Sequence, residues 1–167
     1  MSVYLRDTTR ARRFDASALA RTAKRLLRAI GEEGSSLSLS FVGDATIRRL
    51  NREHRGKDRT TDVLSFPLYE PEVRKGNIAG GPERMLGDIV IGVEQARRQA
   101  LDYDATLEAE LKRLLIHGLL HLVGHDHEVR DERARMEGEE RRLAAAIGLR
   151  WPYDPASAAD SRGRGRV

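Results

Sequence analysis

Residues 106–123 carry hydrophobic side chains at helical spacing, and in their second half these side chains surround the helix on almost every side. They are Leu107, Leu111, Leu114, Leu115, Ile116, Leu119, Leu120, Leu122 and Val123. A helix that is apolar nearly all round is typical of a buried position. The pattern therefore predicts a central helix that ends at Gly124, since glycine adopts the left-handed conformation at little cost.

Shorter patterns predict the elements around this helix. Helical spacing covers residues 15–30, 44–56, 93–101 and 131–147, and strand character covers 3–5, 37–41, 61–66 and 86–91. Asp15 and Asp44 are expected to cap the helices that they begin. Alternation with serine predicts that the strand at 37–41 is half-buried.

Short strands mixed with helices indicate an α+β fold of one domain over residues 1–154. In it a small mixed sheet of about four strands is covered by helices, and the central helix carries H-x-x-x-H as in the metzincin peptidases. Residues 68–84 are rich in glycine and proline and predict a long loop. The basic tail at 155–167 is expected to be disordered.

Composition limits the chemistry. The chain has no cysteine, which excludes disulfides and thiolate ligands and leaves histidine and carboxylate as the good ligands for a transition metal. No apolar run reaches the roughly eighteen residues of a membrane span, and residues 1–13 do not resemble a signal peptide. We therefore expect a cytoplasmic protein with no membrane partner.

Charge gives a weaker indication. The net charge is +4, from 30 basic and 26 acidic residues, so an anionic partner is favoured only slightly. Six basic residues lie within positions 48–59, opposed there by Glu53 and Asp58: Arg48, Arg49, Arg52, Arg55, Lys57 and Arg59. Alone, this segment is equally consistent with a solvated helix face. A neighbouring metal site would favour nucleic-acid binding.

Four of the five histidines lie in residues 117–127, which read HGLLHLVGHDH. His117 and His121 are one helical turn apart, and reversal at Gly124 can bring His127 back towards them. Three neutral imidazoles favour one zinc ion, and an open fourth position is typical of a catalytic site. His125 remains the alternative third ligand to His127.

The histidine spacing matches the metzincin motif H-E-x-x-H-x-x-G-x-x-H with one difference. Gly118 stands where those peptidases have the glutamate that deprotonates water. The pattern therefore predicts the metal site of a hydrolase without the peptidase base.

Residues 35–153 resemble the YbeY family of bacterial rRNA maturation factors, which are zinc-dependent endoribonucleases. The family signature H-G-x-L-H-L-x-G-x-D-H is matched completely at 117–127, although His125 stands where the family often has tyrosine. Two further blocks are similar, LNREHRGKD with TDVLSFP between residues 50 and 67, and LGDIVI at 86–91.

The resemblance implies that His117, His121 and His127 bind one zinc ion and that Arg55 is a basic residue needed for activity. It also implies cleavage of single-stranded RNA, processing of the 16S rRNA 3′ end, and ribosome quality control. The implied partners are rRNA and the small ribosomal subunit with its associated proteins. The alternative is a ribosome-associated RNA-binding assembly factor whose zinc is structural.

The guanidinium of Arg55 suits the transition state of phosphodiester cleavage, since its planar fork matches phosphate oxygens. The general base stays open among metal-activated water, His125, His54 and Asp88, and the ribose 2′-hydroxyl could be the nucleophile. Asp126 could orient a histidine ligand. For Asp62 and Asp88 a turn or cap role is favoured.

Overall fold

One mixed sheet of four strands organises the fold. The computed structural model describes residues 2–9, 14–68, 84–124 and 130–150. Its strands are β1 (Val3–Asp7), β2 (Ser35–Val42), β3 (Val63–Pro67) and β4 (Arg84–Gly92). Its helices are α1 (Ala16–Ala29), α2 (Asp44–Arg55), α3 (Val93–Asp102), α4 (Leu107–Leu122) and α5 (Arg130–Ala146). The predicted α+β class is confirmed. Residues 69–83 and 151–167, the body of the expected loop and the expected tail, lie outside the described ranges.

The strand order is β1-β2-β4-β3. β2 is parallel to both β1 and β4, whereas β3 is antiparallel to β4 and forms an edge of the sheet. The backbone carbonyl of Asp62 accepts from the Gly92 N–H, and the Leu68 N–H donates to the Leu86 carbonyl. Because hydrogen-bonded positions alternate along an antiparallel pair, the even-numbered residues of β3 turn their backbone groups towards β4. The backbone groups of Val63 and Ser65 therefore face away from the sheet.

The main core lies between one sheet face and α1, α4 and α5. A smaller cluster on the other face joins Ile47 of α2 to Val42, Leu64 and Val90. The prediction of a half-buried strand at 37–41 is confirmed, because Leu37, Leu39 and Phe41 are fully buried, whereas Ser38 and Ser40 between them are only partly buried.

Of the two predicted helix caps, one is confirmed and the other is wrong. Asp15 caps α1, since its Oδ1 accepts from the Ala18 N–H at 3.1 Å. The expected cap at Asp44 was wrong, because Gly43 is the N-cap of α2 and Asp44 is the first helical residue. The Asp44 carboxylate instead accepts two hydrogen bonds from Arg98 of α3, at 3.0 and 3.1 Å. This ion pair ties α2 to α3.

α4 is the central helix, as its sequence pattern predicts. It packs on β3 and β4 and contacts α1, α3 and α5. The Thr106 side chain caps it by accepting from the Ala109 N–H at 3.1 Å. In the part of the chain that the structure describes, no helix is both long enough and apolar enough to span a membrane.

Candidate functional site

His117 and His121 turn the same ring nitrogen towards each other on α4. Their Nε2 atoms are 3.1 Å apart, and their ring centroids are 4.6 Å apart at 74°. Two nitrogens bound at 2.0–2.1 Å to a tetrahedral zinc ion would be about 3.3 Å apart. The pair therefore fits two ligands of one such ion.

Glu140 of α5 contacts the other nitrogen of His117. Its Oε1 lies 3.4 Å from His117 Nδ1, and its side chain is only 12% exposed. A carboxylate at Nδ1 favours a proton there and leaves Nε2 as the ligand atom. Glu140 was not predicted from the sequence, where Asp126 was the candidate for this role. The available signal was a glutamate at helical spacing from the apolar Met136, Leu143 and Ile147.

The predicted third ligand, His127, lies outside the described residues, as do His125 and Asp126. The reversal before them is described: Gly124 has φ +97°, and its N–H donates to the His121 carbonyl at 3.1 Å. α4 thus ends where the sequence predicts. Within the described ranges no three histidine, aspartate or glutamate side chains are grouped as a metal site. Of the three predicted ligands, the described ranges contain His117 and His121.

Gly118 brings α4 against the sheet. A Cβ at this position would lie 3.0 Å from Ile89 Cγ2 and 3.2 Å from both Val63 Cγ2 and Ser65 Oγ. The Ser65 hydroxyl also donates to the Gly118 carbonyl at 2.9 Å. A side chain here would be tighter against β3 and β4 than an ordinary contact, so these neighbours would have to shift by a few tenths of an ångström to admit it. The packing therefore disfavours a glutamate at this position.

A cleft of about 590 Å³ opens beside the histidine pair. It is lined by His54 and Arg55 at the end of α2, by residues 61–67, and by His117 and His121. Ser65 of β3 points to α4, whereas Phe66 points to α2 and packs on the smaller cluster there. Among the described residues no strand pairs with the outer edge of β3, and the cleft extends around this edge with the histidine pair on one side and Arg55 on the other.

Both carboxylates within the basic segment, residues 48–59, form ion pairs with arginines other than Arg55. Arg48 binds Asp58 through two hydrogen bonds, of 3.0 and 3.3 Å, and Arg52 is 3.6 Å from the same carboxylate. Glu53 is 4.0 Å from Arg49. The hydrogen bond from Arg48 lowers the pKa of Asp58 below its ordinary value, so this carboxylate stays ionised at neutral pH. Arg55 has no ion pair with any residue that the structure describes.

Asn51 fixes the wall that carries Arg55. It is almost fully buried, and its Nδ2 donates to the Arg59 carbonyl at 2.9 Å. Its backbone carbonyl accepts from the Lys57 N–H at 3.3 Å. These bonds hold the turn after α2 and so set the end of the helix against β3.

The two base candidates in the described ranges occupy different places. His54 lines the cleft, whereas Asp88 is an exposed residue of β4 outside the lining. Asp62 lies at the cleft just before β3, and its Oδ1 accepts from the Val63 N–H at 2.7 Å. Its Oδ2 is 3.9 Å from Arg113 Nη2, so its charge is partly offset.

A polar stripe runs along the otherwise apolar α4. Its members are Glu110, Arg113, His117 and His121, at spacings of three, four and four residues. Glu110 is fully buried and accepts from Gln99 and from Arg113, both at 2.8 Å. Hydrogen bonding thus compensates a charge buried two turns before the histidine pair.

Comparisons with known proteins agree with this architecture. A family model described as Endoribonuclease YbeY matches residues 5–148. An endoribonuclease YbeY of Desulfitobacterium hafniense (strain Y51) is 45% identical over 117 residues, which are 70% of this chain and 74% of the relative. One from Rhizobium meliloti (strain 1021) is 46% identical over 121 residues, 72% of this chain and 69% of the relative.

A solution structure from Thermotoga maritima is similar in fold. It superimposes with a TM-score of 0.59 at 26% identity and covers 92% of this chain and 94% of its own.

Substituting Gly118→Glu should destabilise the fold by about 3 kcal/mol or more, because it places a charged side chain between α4 and the sheet. Chemical denaturation would measure the change in the free energy of unfolding. Gly138→Glu is the matched control, since Gly138 is an exposed helical position where an added Cβ would meet no neighbouring element within 4 Å. There the change should stay within about 1 kcal/mol. Equal stability of the two variants would contradict the packing role of Gly118.

Proposed function

This chain belongs to the YbeY family, and we propose that it is a zinc-dependent endoribonuclease that cleaves single-stranded RNA. The proposed setting is the cytoplasm, in maturation of the 16S rRNA 3′ end and in ribosome quality control. The proposed partners are rRNA and the small ribosomal subunit with its proteins. One observation supports this most strongly: the histidine pair and an arginine without a described counter-ion line the same cleft.

The proposed zinc ligands are His117, His121 and His127. Support comes from the donor chemistry, since neutral imidazoles suit zinc, and from the 3.1 Å separation of the two described Nε2 atoms. When bound, zinc would polarise a phosphoryl oxygen and activate a water molecule. Glu140 is proposed to hold the proton of His117 at Nδ1 and thereby to fix the orientation of that ligand.

Arg55 is proposed to bind the phosphate that is cleaved. Its planar guanidinium can donate two parallel hydrogen bonds to phosphate oxygens and can stabilise the charge that builds up on them. The ion pairs of Arg48, Arg49 and Arg52 support this assignment, because they remove the nearby carboxylates that would otherwise neutralise Arg55.

Removing one ligand tests the function directly. His121→Ala should lose tightly bound zinc and reduce cleavage of a precursor RNA spanning the 16S rRNA 3′ end to background. Elemental analysis and the cleavage assay are carried out on matched preparations of variant and parent. Equal cleavage by both would mean that the nuclease activity does not belong to this site. A zinc-loaded parent that binds this RNA without cutting it would favour the assembly-factor alternative.

Charge reversal at Arg55 tests the phosphate contact. Arg55→Glu should slow RNA cleavage by about a hundredfold, as loss of a donor to a transition-state anion does, while zinc content stays unchanged. Lys57→Glu makes the same charge change two residues further along the chain, at an exposed residue outside the cleft lining, so it should have a much smaller effect. Similar rates for the two variants would reduce the role of Arg55 to general electrostatic attraction.

Glu140→Ala should weaken zinc binding by about ten- to hundredfold, because His117 loses the carboxylate that orients its ring. Competition with a chromophoric chelator measures zinc affinity without any assay of activity. Glu137→Ala, an exposed position on the same helix, is the control and should bind zinc like the parent. If both variants keep the parental affinity, Glu140 does not position the ligand.

A further inference from the structure

Two aromatic rings form the wall of the cleft beside Arg55. The ring centroids of His54 and Phe66 are 4.9 Å apart, and the rings are inclined at 58°. Both residues line the cleft that also contains His117 and His121. Phe66 is half-buried against the smaller hydrophobic cluster, whereas His54 is exposed.

We propose that His54 and Phe66 form a stacking subsite for one unpaired nucleobase of the RNA. The inference rests on the proposed function, because it takes RNA as the ligand of the cleft, and it adds the group that this wall recognises. Aromatic side chains are suited to bases in single-stranded nucleic acid because every base has a π face, whatever the sequence.

The position of the pair fits a nucleotide whose phosphate lies on Arg55. His54 and Arg55 are consecutive residues, and both reach the cleft from the last turn of α2. A cation and a flat ring side by side can bind the phosphate and the base of one short stretch of RNA. Basic residues that track the backbone next to rings that stack with bases are the usual combination in single-strand binding.

The smaller hydrophobic cluster supports the wall from beneath. Phe66 packs on this cluster, and the His54 ring contacts Phe66. Phe66 then loses little side-chain freedom when a base binds, so its stacking contributes more fully to affinity. A base that is paired within a duplex is already stacked on its neighbours and is not presented to this wall. The subsite would therefore select single-stranded RNA.

A simpler role for His54 is to cover Phe66 and the cluster beneath it. The two roles predict different responses to His54→Leu, which keeps an apolar cover over Phe66 but removes the flat ring. A cover role predicts unchanged RNA affinity, whereas a stacking role predicts that affinity falls while the melting temperature stays close to that of the parent.

The test combines this variant with a change in the RNA. The probes are a single-stranded RNA oligonucleotide with 2′-O-methyl groups, checked by gel electrophoresis to stay intact during the measurement, and a series in which each base in turn is removed. Fluorescence anisotropy gives the affinity of zinc-loaded protein for each probe. For the parent, one abasic position should weaken binding roughly tenfold more than its neighbours do.

His54→Leu should weaken binding of the intact RNA by roughly tenfold, and removal of that same base should then have little further effect. His54→Tyr should restore both affinity and the sensitivity to the abasic position. Tyr4→Leu is the aromatic control, since Tyr4 is an exposed residue of β1 at the opposite edge of the sheet, and it should bind like the parent.

Two results would overturn the subsite alone: parental affinity of His54→Leu, or equal abasic sensitivity in parent and variant, each with RNA cleavage by the parent intact. A parent that binds no single-stranded RNA would overturn the proposed function and the subsite together. The cleavage assay on the parent therefore separates failure of the subsite from failure of the function.

Discussion

The close contact between α4 and the edge of the sheet at Gly118 sets the position of the histidine pair relative to β3. Even a Cβ there would crowd Val63, Ser65 and Ile89, and Ser65 donates to the Gly118 carbonyl. The neighbouring residue on the helix is His117, so the depth of this contact fixes how far the histidine pair stands from β3. Moving the helix outward would widen the cleft and separate the histidines from Arg55.

The arginines of α2 differ in whether they form ion pairs, and this difference affects the charge at the cleft. Arg48 and Arg52 share Asp58, and Arg49 pairs with Glu53, all at exposed positions. Each such pair contributes little to stability in water. Their effect on the site is larger, because they occupy Glu53 and Asp58, the two carboxylates within residues 48–59, so that neither is paired with Arg55. Arg55, at the end of the helix, has no ion pair with any described residue.

Local pattern predicts part of this structure, and long-range packing decides the rest. Apolar spacing located α4, and Gly124 ends it with a positive φ as expected. The edge position and direction of β3 were not predicted, because strand order depends on contacts between distant segments. Glu140 was missed because it is 23 residues from His117. Asp44 has the local sequence of a cap, but Arg98 of another helix binds its carboxylate. Tertiary structure thus supplied the groups that orient the predicted residues.

An edge strand explains how one small cleft can hold both parts of a nucleotide. Side chains of β3 alternate between its two faces, so Ser65 is directed to the histidine helix and Phe66 to the end of α2. The histidine pair and Arg55 therefore line the cleft from opposite sides of a single strand. A ligand that contacts both sides would follow the curve of this edge, and a flexible single-stranded RNA does so more easily than a stiff duplex. Shape and charge thus favour the same substrate class.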